Sequence, residues 1–210
     1  MNVILVDDHQ IFRDGLKRIF SEERDIKIIG EAGDAAGLFE ILRKKKPDVL
    51  VLDINLPGRG GVDILHEVKR DFPKVPVLVL TMYPEAQYAV RAMKAGASGY
   101  LTKTMASAEL ITAVRKIERG GKYINQTVAD QMAEALQHDD AQGEPHKLLS
   151  DREFQVFRLI ASGKTVGEIA DALALSVKTI STYRTHIIEK MNLRNNADMM
   201  RYATEHGLFE

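Results

Sequence analysis

Between Asn2 and Ile117 five short apolar runs recur, Val3 to Val6, Ile26 to Gly30, Val49 to Leu52, Val77 to Leu80 and Gly99 to Leu101. Each is followed by a longer segment whose apolar residues repeat at helical spacing. Strand and amphipathic helix in strict alternation predict a parallel sheet covered by helices, and runs this apolar are expected to be buried on both faces. The helical segments carry Ile11, Leu16, Ile19 and Phe20; Leu38, Ile41 and Leu42; Val62, Leu65 and Val68; Tyr88, Ala89, Ala92 and Met93; and Leu110, Ile111, Val114 and Ile117. Pro47, Pro73, Pro76 and Gly96 mark the joins between them.

The alternation then stops. His138 to Lys147 has no apolar residue except Ala141, no periodicity, and both a Gly and a Pro, which reads as a linker. Behind it, four short helices are expected at about 151–162, 166–173, 177–191 and 197–206. Ser150 with Glu153 and Thr165 with Glu168 have capping-box spacing, Ser176 offers a third N-cap and Asn195 or Asn196 a fourth. A chain of 210 residues, at roughly 150 per domain, accommodates two modest domains.

Composition narrows the classes of function. With no cysteine, disulfide frameworks, thiolate nucleophiles and cysteine-held metal centres are excluded. A chain 45% hydrophobic and 28% charged is not a disordered one. The densest apolar runs are far shorter than the roughly 20 residues a bilayer needs. The amino terminus reaches Asp7 and Asp8 without the basic region and long apolar stretch of a secretory signal, so a cytoplasmic protein with no membrane partner is expected. Net charge is −1, so any nucleic-acid surface must be local.

In an open parallel sheet, ligands sit beyond the carboxyl ends of the strands, where strand order reverses. The first strand ends in Asp7 and Asp8, the third in Asp53, the fourth in Thr81, and Lys103 follows the fifth. Carboxylates about 4 Å apart repel by roughly 4 kcal/mol at an effective dielectric near 20. Such a group calls for a cation, and oxygen donors favour Mg²⁺. With repulsion lowered, Asp53 is the candidate nucleophile toward a phosphoryl donor. Thr81 and Lys103 would donate to the transferred oxygens. Taken alone, Asp7 and Asp8 are as consistent with capping the next helix.

These residues, with Asp53-Ile54-Asn55-Leu56-Pro57-Gly58 and Gly99-Tyr100-Leu101-Thr102-Lys103, resemble the receiver domain of two-component response regulators from Met1 to about Tyr123. The resemblance implies a flavodoxin-like fold in which Asp53 accepts phosphate from a sensor histidine kinase. It also implies that Asp8, Asp53 and the Asn55 carbonyl bind Mg²⁺ with Asp7 close by. Thr81 and Lys103 would close on the phosphate while Tyr100 changes rotamer. Many receivers place a cis proline after the lysine; Thr104 stands here, so the cis bond is not carried over.

In the carboxy-terminal part, Ala174, Leu175 and Ser176 join two expected helices at the length of a helix-turn-helix turn. On the second helix Val177, Ile180, Tyr183, Ile187, Ile188 and Met191 should face the core. The opposite stripe carries Lys178, Ser181, Thr182, Thr185 and Glu189, of which Ser181, Thr182 and Thr185 are short enough to approach base edges. Lys178, Arg184, His186, Lys190 and Arg194 are candidates for phosphates. Leu149-Ser150-Asp151-Arg152-Glu153, Ile160-Ala161-Ser162-Gly163, Glu168-Ile169-Ala170 and Ser176-Val177-Lys178-Thr179-Ile180 resemble the DNA-binding domain of NarL/FixJ regulators and LuxR-type activators. The expected DNA-contacting set is Lys178, Thr179, Ser181, Thr182, Arg184, Thr185, His186 and Lys190. The same resemblance implies that the last helix pairs two copies, with Met199, Met200, Ala203 and Leu208 as the candidate patch and core packing as the alternative role for at least half of them.

The expectation is therefore a receiver over 1–123, a helix and linker over 124–147, and an all-α four-helix DNA-binding domain over 148–210. Phosphorylation would control homodimerisation and binding to double-stranded DNA. Two alternatives remain: a DNA-binding regulator whose receiver is an unphosphorylated scaffold, and a Mg²⁺-dependent aspartyl phosphatase of the haloacid dehalogenase type. The phosphatase needs a second Asp where Asn55 stands.

Overall fold

The computed structural model describes residues 1–54, 56, 61–82, 86–126, 129–130, 133 and 145–208. The chain divides into two units, Met1–His138 and Asp139–Glu210. In the first, β1 (Asn2–Val6), β2 (Lys27–Ala32), β3 (Val49–Leu52), β4 (Val77–Thr81) and β5 (Gly99–Thr102) form one sheet in the order β2-β1-β3-β4-β5. Every pairing is parallel. The order reverses beside β1, which places the switch point between β1 and β3.

Side chains alternate across the sheet. Val3, Leu5, Val49, Val51, Leu78, Leu80 and Leu101 pack on one face against Leu16 and Phe20 of α1 (Gln10–Ser21) and Leu110, Val114 and Ile117 of α5 (Ala106–Glu118). Ile4, Leu50, Leu52, Val77 and Val79 point the other way and are equally buried. The remaining helices are α2 (Ala35–Lys44), α3 (Gly61–Asp71) and α4 (Ala86–Lys94), which bury Leu38, Leu42, Ile64, Leu65, Val68 and Ala89. Each such aliphatic side chain contributes about 1.5–3 kcal/mol.

Two local expectations fail. β2 is an edge strand, and within it only Ala32 is buried, because one side of the strand has no neighbour to cover it. Ile11, grouped with the core stripe of its helix, is 88% exposed. It lies in the first turn of α1, ahead of Leu16 and Phe20, which make the contact with the sheet.

The second unit contains α6 (Asp151–Ala161), α7 (Val166–Ala172), α8 (Val177–Met191) and α9 (Asn196–Glu205). Both capping boxes form, Ser150 with Glu153 and Thr165 with Glu168, while Ser176 and Asn195 cap α8 and α9. Caps of this kind contribute about 1 kcal/mol each. α6 packs against α8 and α9, and α7 against α8, around Phe154, Phe157, Ile160, Ile169, Ile180, Ile187, Met191 and Met199.

The end of the expected linker is ordered. Pro145–Leu148 form a 3₁₀ turn, and His146 is buried against Phe154 and Tyr202, its Nδ1 3.0 Å from the Tyr202 hydroxyl. An imidazole with a hydrogen-bond partner enters an aromatic core that a polarity count assigns to solvent. Residues 138–144, the rest of that linker, lie outside the described residues. Val177, expected in the core, is 56% exposed, since the first residue of α8 precedes the stretch covered by α6 and α7.

Candidate functional site

The carboxyl ends of the strands carry the polar residues together. Asp7 directly follows β1, Asp53 follows β3, Thr81 closes β4, and Lys103 begins a 3₁₀ turn (Lys103–Met105) after β5. The sheet register holds them: the Asp53 amide donates to the Val6 carbonyl at 2.8 Å and the Asp7 amide to Ala32 at 3.1 Å. Asp53 and Thr81 are fully buried and Asp7 nearly so.

Lys103 Nζ lies 2.6 Å from Asp7 Oδ2 and 2.6 Å from Asp53 Oδ2. Burial pulls its ammonium down, but Asp53 and Asp7 outweigh that and hold it above its usual range. The ammonium also lies 4.6 Å from the Phe12 ring centroid. Asp8 is more open, its Oδ1 2.7 Å from His9 Nδ1. The acid pair does not cap α1 through its side chains in the usual way. His9 is the N-cap residue and makes no side-chain cap, and its own backbone amide donates to Asp7 Oδ1 at 2.9 Å.

Asp7, Asp8, His9 and Asp53 offer ligand atoms that lie within 4.8 Å of one another. Three carboxylates converging on one edge fit a hard divalent cation such as Mg²⁺. Asn55, the expected carbonyl ligand, lies outside the described residues. Tyr100 is buried in β5, on the sheet face shared by Val6, Leu52 and Val79.

In the second unit, α7, the Ala174–Ser176 turn and α8 make a helix-turn-helix. Lys178, Ser181, Thr182, Thr185, His186 and Lys190 are exposed along α8, with Thr179 and Arg184 half-buried. Ser181, Thr182 and Thr185 donate their hydroxyls to the carbonyls of Val177, Lys178 and Ser181. Three of the candidate phosphate contacts have partners inside the unit: Lys190 Nζ is 2.7 Å from Glu153 Oε2, His186 Nδ1 is 3.8 Å from Glu153 Oε1, and Arg184 Nε donates to Asn196 Oδ1 at 2.7 Å.

Residues 3–115 match the family described as response regulator receiver domain, and residues 147–203 match the luxR family of bacterial regulatory proteins. The chain is a two-component response regulator of the NarL/FixJ class. The response regulator UvrY of Escherichia coli K12 is 35% identical to it over 208 residues, covering 99% of this chain and 95% of that one. The response regulator GacA of Pseudomonas aeruginosa is 34% identical over 214 residues, with 100% and 98% covered. Among solved structures, RcsB of Salmonella enterica serovar Typhimurium, bound to the promoter P1flhDC in the presence of the phosphomimetic BeF3⁻, aligns with TM-score 0.66 at 28% identity over 98% of each chain. A two-component response regulator RcsB–DNA complex aligns with TM-score 0.60 at 28% identity, covering 97% of this chain and 98% of that one.

As a member of this class, the regulator joins a receiver to a DNA-binding domain and regulates transcription. Among its described residues no helix is long and apolar enough to cross a membrane. The candidate pairing patch on its last helix divides: Met199, Ala203 and Leu208 are buried in the unit's own core, and Met200 is exposed. Apolar residues on a short amphipathic helix fill the core first.

Two residues at the acid pocket escaped the sequence reading. His9 follows the acid pair directly, and its place in the sequence was visible, but its contact with Asp8 depends on a side-chain rotamer. Arg13, one turn into α1, donates to the Asp7 carbonyl and to Gln10 Oε1. Its spacing of six residues from Asp7 follows from α1 starting just beyond the acid pair.

Proposed function

We propose that the regulator is switched by phosphorylation of Asp53, and that the switch governs dimerisation and sequence-specific binding to double-stranded DNA. The observation that carries this reading is the position of Lys103, 2.6 Å from both Asp7 and Asp53. A buried ammonium shared by two carboxylates is a charge balance that a new anion overturns.

The phosphoryl donor is the phosphohistidine of a sensor kinase. An Asp53 carboxylate oxygen attacks the phosphorus, the P–N bond breaks, and the imidazole nitrogen leaves with the electron pair and takes up a proton. Asp7, Asp8, Asp53 and the Asn55 carbonyl would hold Mg²⁺, which when bound offsets the negative charge gathering on carboxylates and phosphoryl oxygens. Lys103 is held charged next to the acceptor oxygen and pairs with the arriving phosphoryl. Thr81 contributes its hydroxyl from the end of β4. The added charge is about −1.5 to −2, and it draws Lys103 and Thr81 toward Asp53, with Tyr100 following on the same strand as the turn that holds Lys103. This shifts an existing equilibrium of the receiver, whose domain we assign to residues 1–123.

The reader is the domain over 148–210, joined through 124–147. Lys178, Thr179, Ser181, Thr182 and Thr185 meet base edges and sugar-phosphate, while Arg184, His186 and Lys190 orient the helix on the backbone. Ser176 to Arg194 carries four basic residues and one acidic residue in a domain that is neutral as a whole. Few phosphate contacts make a weak monomeric binder, so a dimer on two half-sites is required for affinity. The RcsB–DNA complex and the promoter-bound RcsB structure, both of a two-component response regulator of similar fold, support this assignment. We place the regulator in the cytoplasm, where kinase and chromosome both meet it.

The test is operator affinity, measured at fixed salt with and without acetyl phosphate and Mg²⁺, for wild type and Asp53→Asn. Tighter binding on phosphorylation in wild type alone supports the switch. Equal affinity in all four conditions would make the receiver an unphosphorylated scaffold.

A further inference from the structure

Val177 is the first residue of α8 and is 56% exposed, while Ile180, Ile187 and Met191 further along the helix are buried. A lone exposed valine is ordinary on a protein surface. Val177 is not alone: Ser181 and Thr185 follow it at intervals of four, so the three side chains line one face, and all three are exposed. Lys178 and Thr182 are exposed beside them. The helix rises about 12 Å from Val177 to Thr185, or roughly three to four base-pair steps of a duplex.

The hydroxyls on this face have their protons committed. Ser181 Oγ donates to the Val177 carbonyl at 2.9 Å, Thr182 Oγ1 to the Lys178 carbonyl at 3.1 Å, and Thr185 Oγ1 to the Ser181 carbonyl at 3.1 Å. A hydroxyl has one proton and two lone pairs, so each oxygen can serve a ligand only as an acceptor. The Val177 isopropyl group and the methyls of Thr182 and Thr185 add apolar carbon. Two nearby cations of the kind that donate to guanine O6 and N7 already have partners. Arg184 Nε donates to Asn196 Oδ1, and Lys190 Nζ lies 2.7 Å from Glu153 Oε2.

We infer that this face selects A·T pairs in the major groove, with Val177 against the C5-methyl of a thymine and the oxygens of Ser181 and Thr185 accepting from adenine N6. The inference rests on the assignment of α8 as the DNA-reading helix. Of the four bases only thymine shows a methyl group in the major groove, and only adenine N6 and cytosine N4 offer donors there. Guanine presents N7 and O6, two acceptors that would stand against acceptor oxygens. A G·C pair could satisfy those oxygens from cytosine alone, and it leaves the Val177 isopropyl group with no methyl to cover it. Lys178 carries its ammonium on a long flexible stem and reaches the sugar-phosphate backbone beside the stripe.

The full chain, with and without acetyl phosphate and Mg²⁺, selects duplexes from a random library, and affinity for the selected half-site is measured at fixed salt. Each thymine is then replaced in turn by uracil, which removes only the C5-methyl, and each adenine by purine, which removes only the N6 amino group. At one thymine the wild type should lose about fourfold in affinity on replacement by uracil, and Val177→Ala should bind the thymine and uracil duplexes alike. At one adenine the wild type should lose about fivefold on replacement by purine, and Ser181→Ala or Thr185→Val should lose nothing further there. Half-sites built on G·C pairs overturn the inference and leave α8 as the reading helix. So does a uracil penalty that is absent in wild type or undiminished in Val177→Ala, and so does a purine penalty that is absent in wild type or undiminished in both hydroxyl variants. If a folded chain enriches no sequence in either state, the assignment of α8 as the reading helix falls, and the inference with it.

Discussion

Lys103 Nζ and Asp53 Oδ2 lie 2.6 Å apart in a buried pocket, although fifty residues of chain separate them. Removing one partner of such a pair leaves an uncompensated charge and typically costs about 3–5 kcal/mol. Lys103→Met therefore removes the ammonium that Asp7 and Asp53 share. Urea unfolding at pH 7 without metal should show a loss of that order in the amino-terminal unit. Mg²⁺ should restore more stability to Lys103→Met than to wild type, since a ligand that binds only the folded state stabilises it in proportion to its affinity. Equal Mg²⁺ effects on the two proteins would contradict the arrangement.

The same pair sets a pH window. Lys103 is held above its usual 10.5 by Asp53 and Asp7 despite the opposing effect of burial. A base raised in the folded state contributes stability that is complete below its unfolded value and is lost as pH rises through its folded one. The stability difference between wild type and Lys103→Met should thus stay constant through neutral pH and shrink only in strong alkali.

Glu153 predicts the opposite direction in the second unit. Burial works against its charge, but Lys190 and the Ser150 donors outweigh burial and hold the carboxyl below its usual 4.5. An acid lowered in the folded state contributes stability present above its unfolded value and lost as pH falls through the folded one. Thermal unfolding of Glu153→Gln should be destabilised at pH 7 and converge on wild type only as pH falls below 4.5 and through the lowered value of the folded carboxyl. A gap that persists undiminished in acid would remove the Lys190–Glu153 pair from the account. Because Lys190 is committed to Glu153, Lys190→Ala should also lower stability, which a pure phosphate contact would not.

The sequence showed the architecture because its signals were local. Strand and helix periods, Ser150 and Thr165 with their glutamates three residues on, and the strand-end acids all lie within a few residues of what they determine. The site's skeleton was legible for the same reason: when a parallel sheet has polar residues at successive strand ends, the fold itself gathers them. Contacts that depend on burial or rotamer were not legible. Ile11 and Met199 have similar apolarity, yet one is 88% exposed and the other fully buried, because tertiary neighbours decide which apolar residues are covered. His146 was counted with a polar linker and proves to be part of an aromatic cluster.

The helix-turn-helix turn contains a position where the chain strains its own residue. Ala174 has φ 50°, in the left-handed region, where a Cβ costs about 1–2 kcal/mol. Ala174→Gly removes that clash at the expense of some unfolded-state entropy. The net expectation is a small gain, up to about 1 kcal/mol, in chemical denaturation of the carboxy-terminal unit, with operator affinity unchanged. A clear loss of stability would show that Ala174 is unstrained in solution.

Gly61, the first residue of α3, approaches Ile54 so closely that an added Cβ would fall 2.1 Å from the Ile54 Cα. Backbone cannot yield as a side chain does, and Ile54 is bonded directly to Asp53. Gly61→Ala should therefore displace the acceptor and reduce phosphorylation by acetyl phosphate severely, even where circular dichroism reports a folded chain. Labelling at the wild-type rate would contradict the contact.

Peptide mass spectrometry shows whether Asp53 is the residue that receives the phosphoryl group. The full chain is treated with acetyl phosphate and Mg²⁺, the acyl phosphate is reduced with borohydride to homoserine, and the modified residue is located after digestion. Homoserine is expected at position 53, and is expected to be absent from Asp53→Asn and from samples with the cation chelated. Modification at any other residue, or none in wild type under conditions where the protein is folded and metal-loaded, would contradict it.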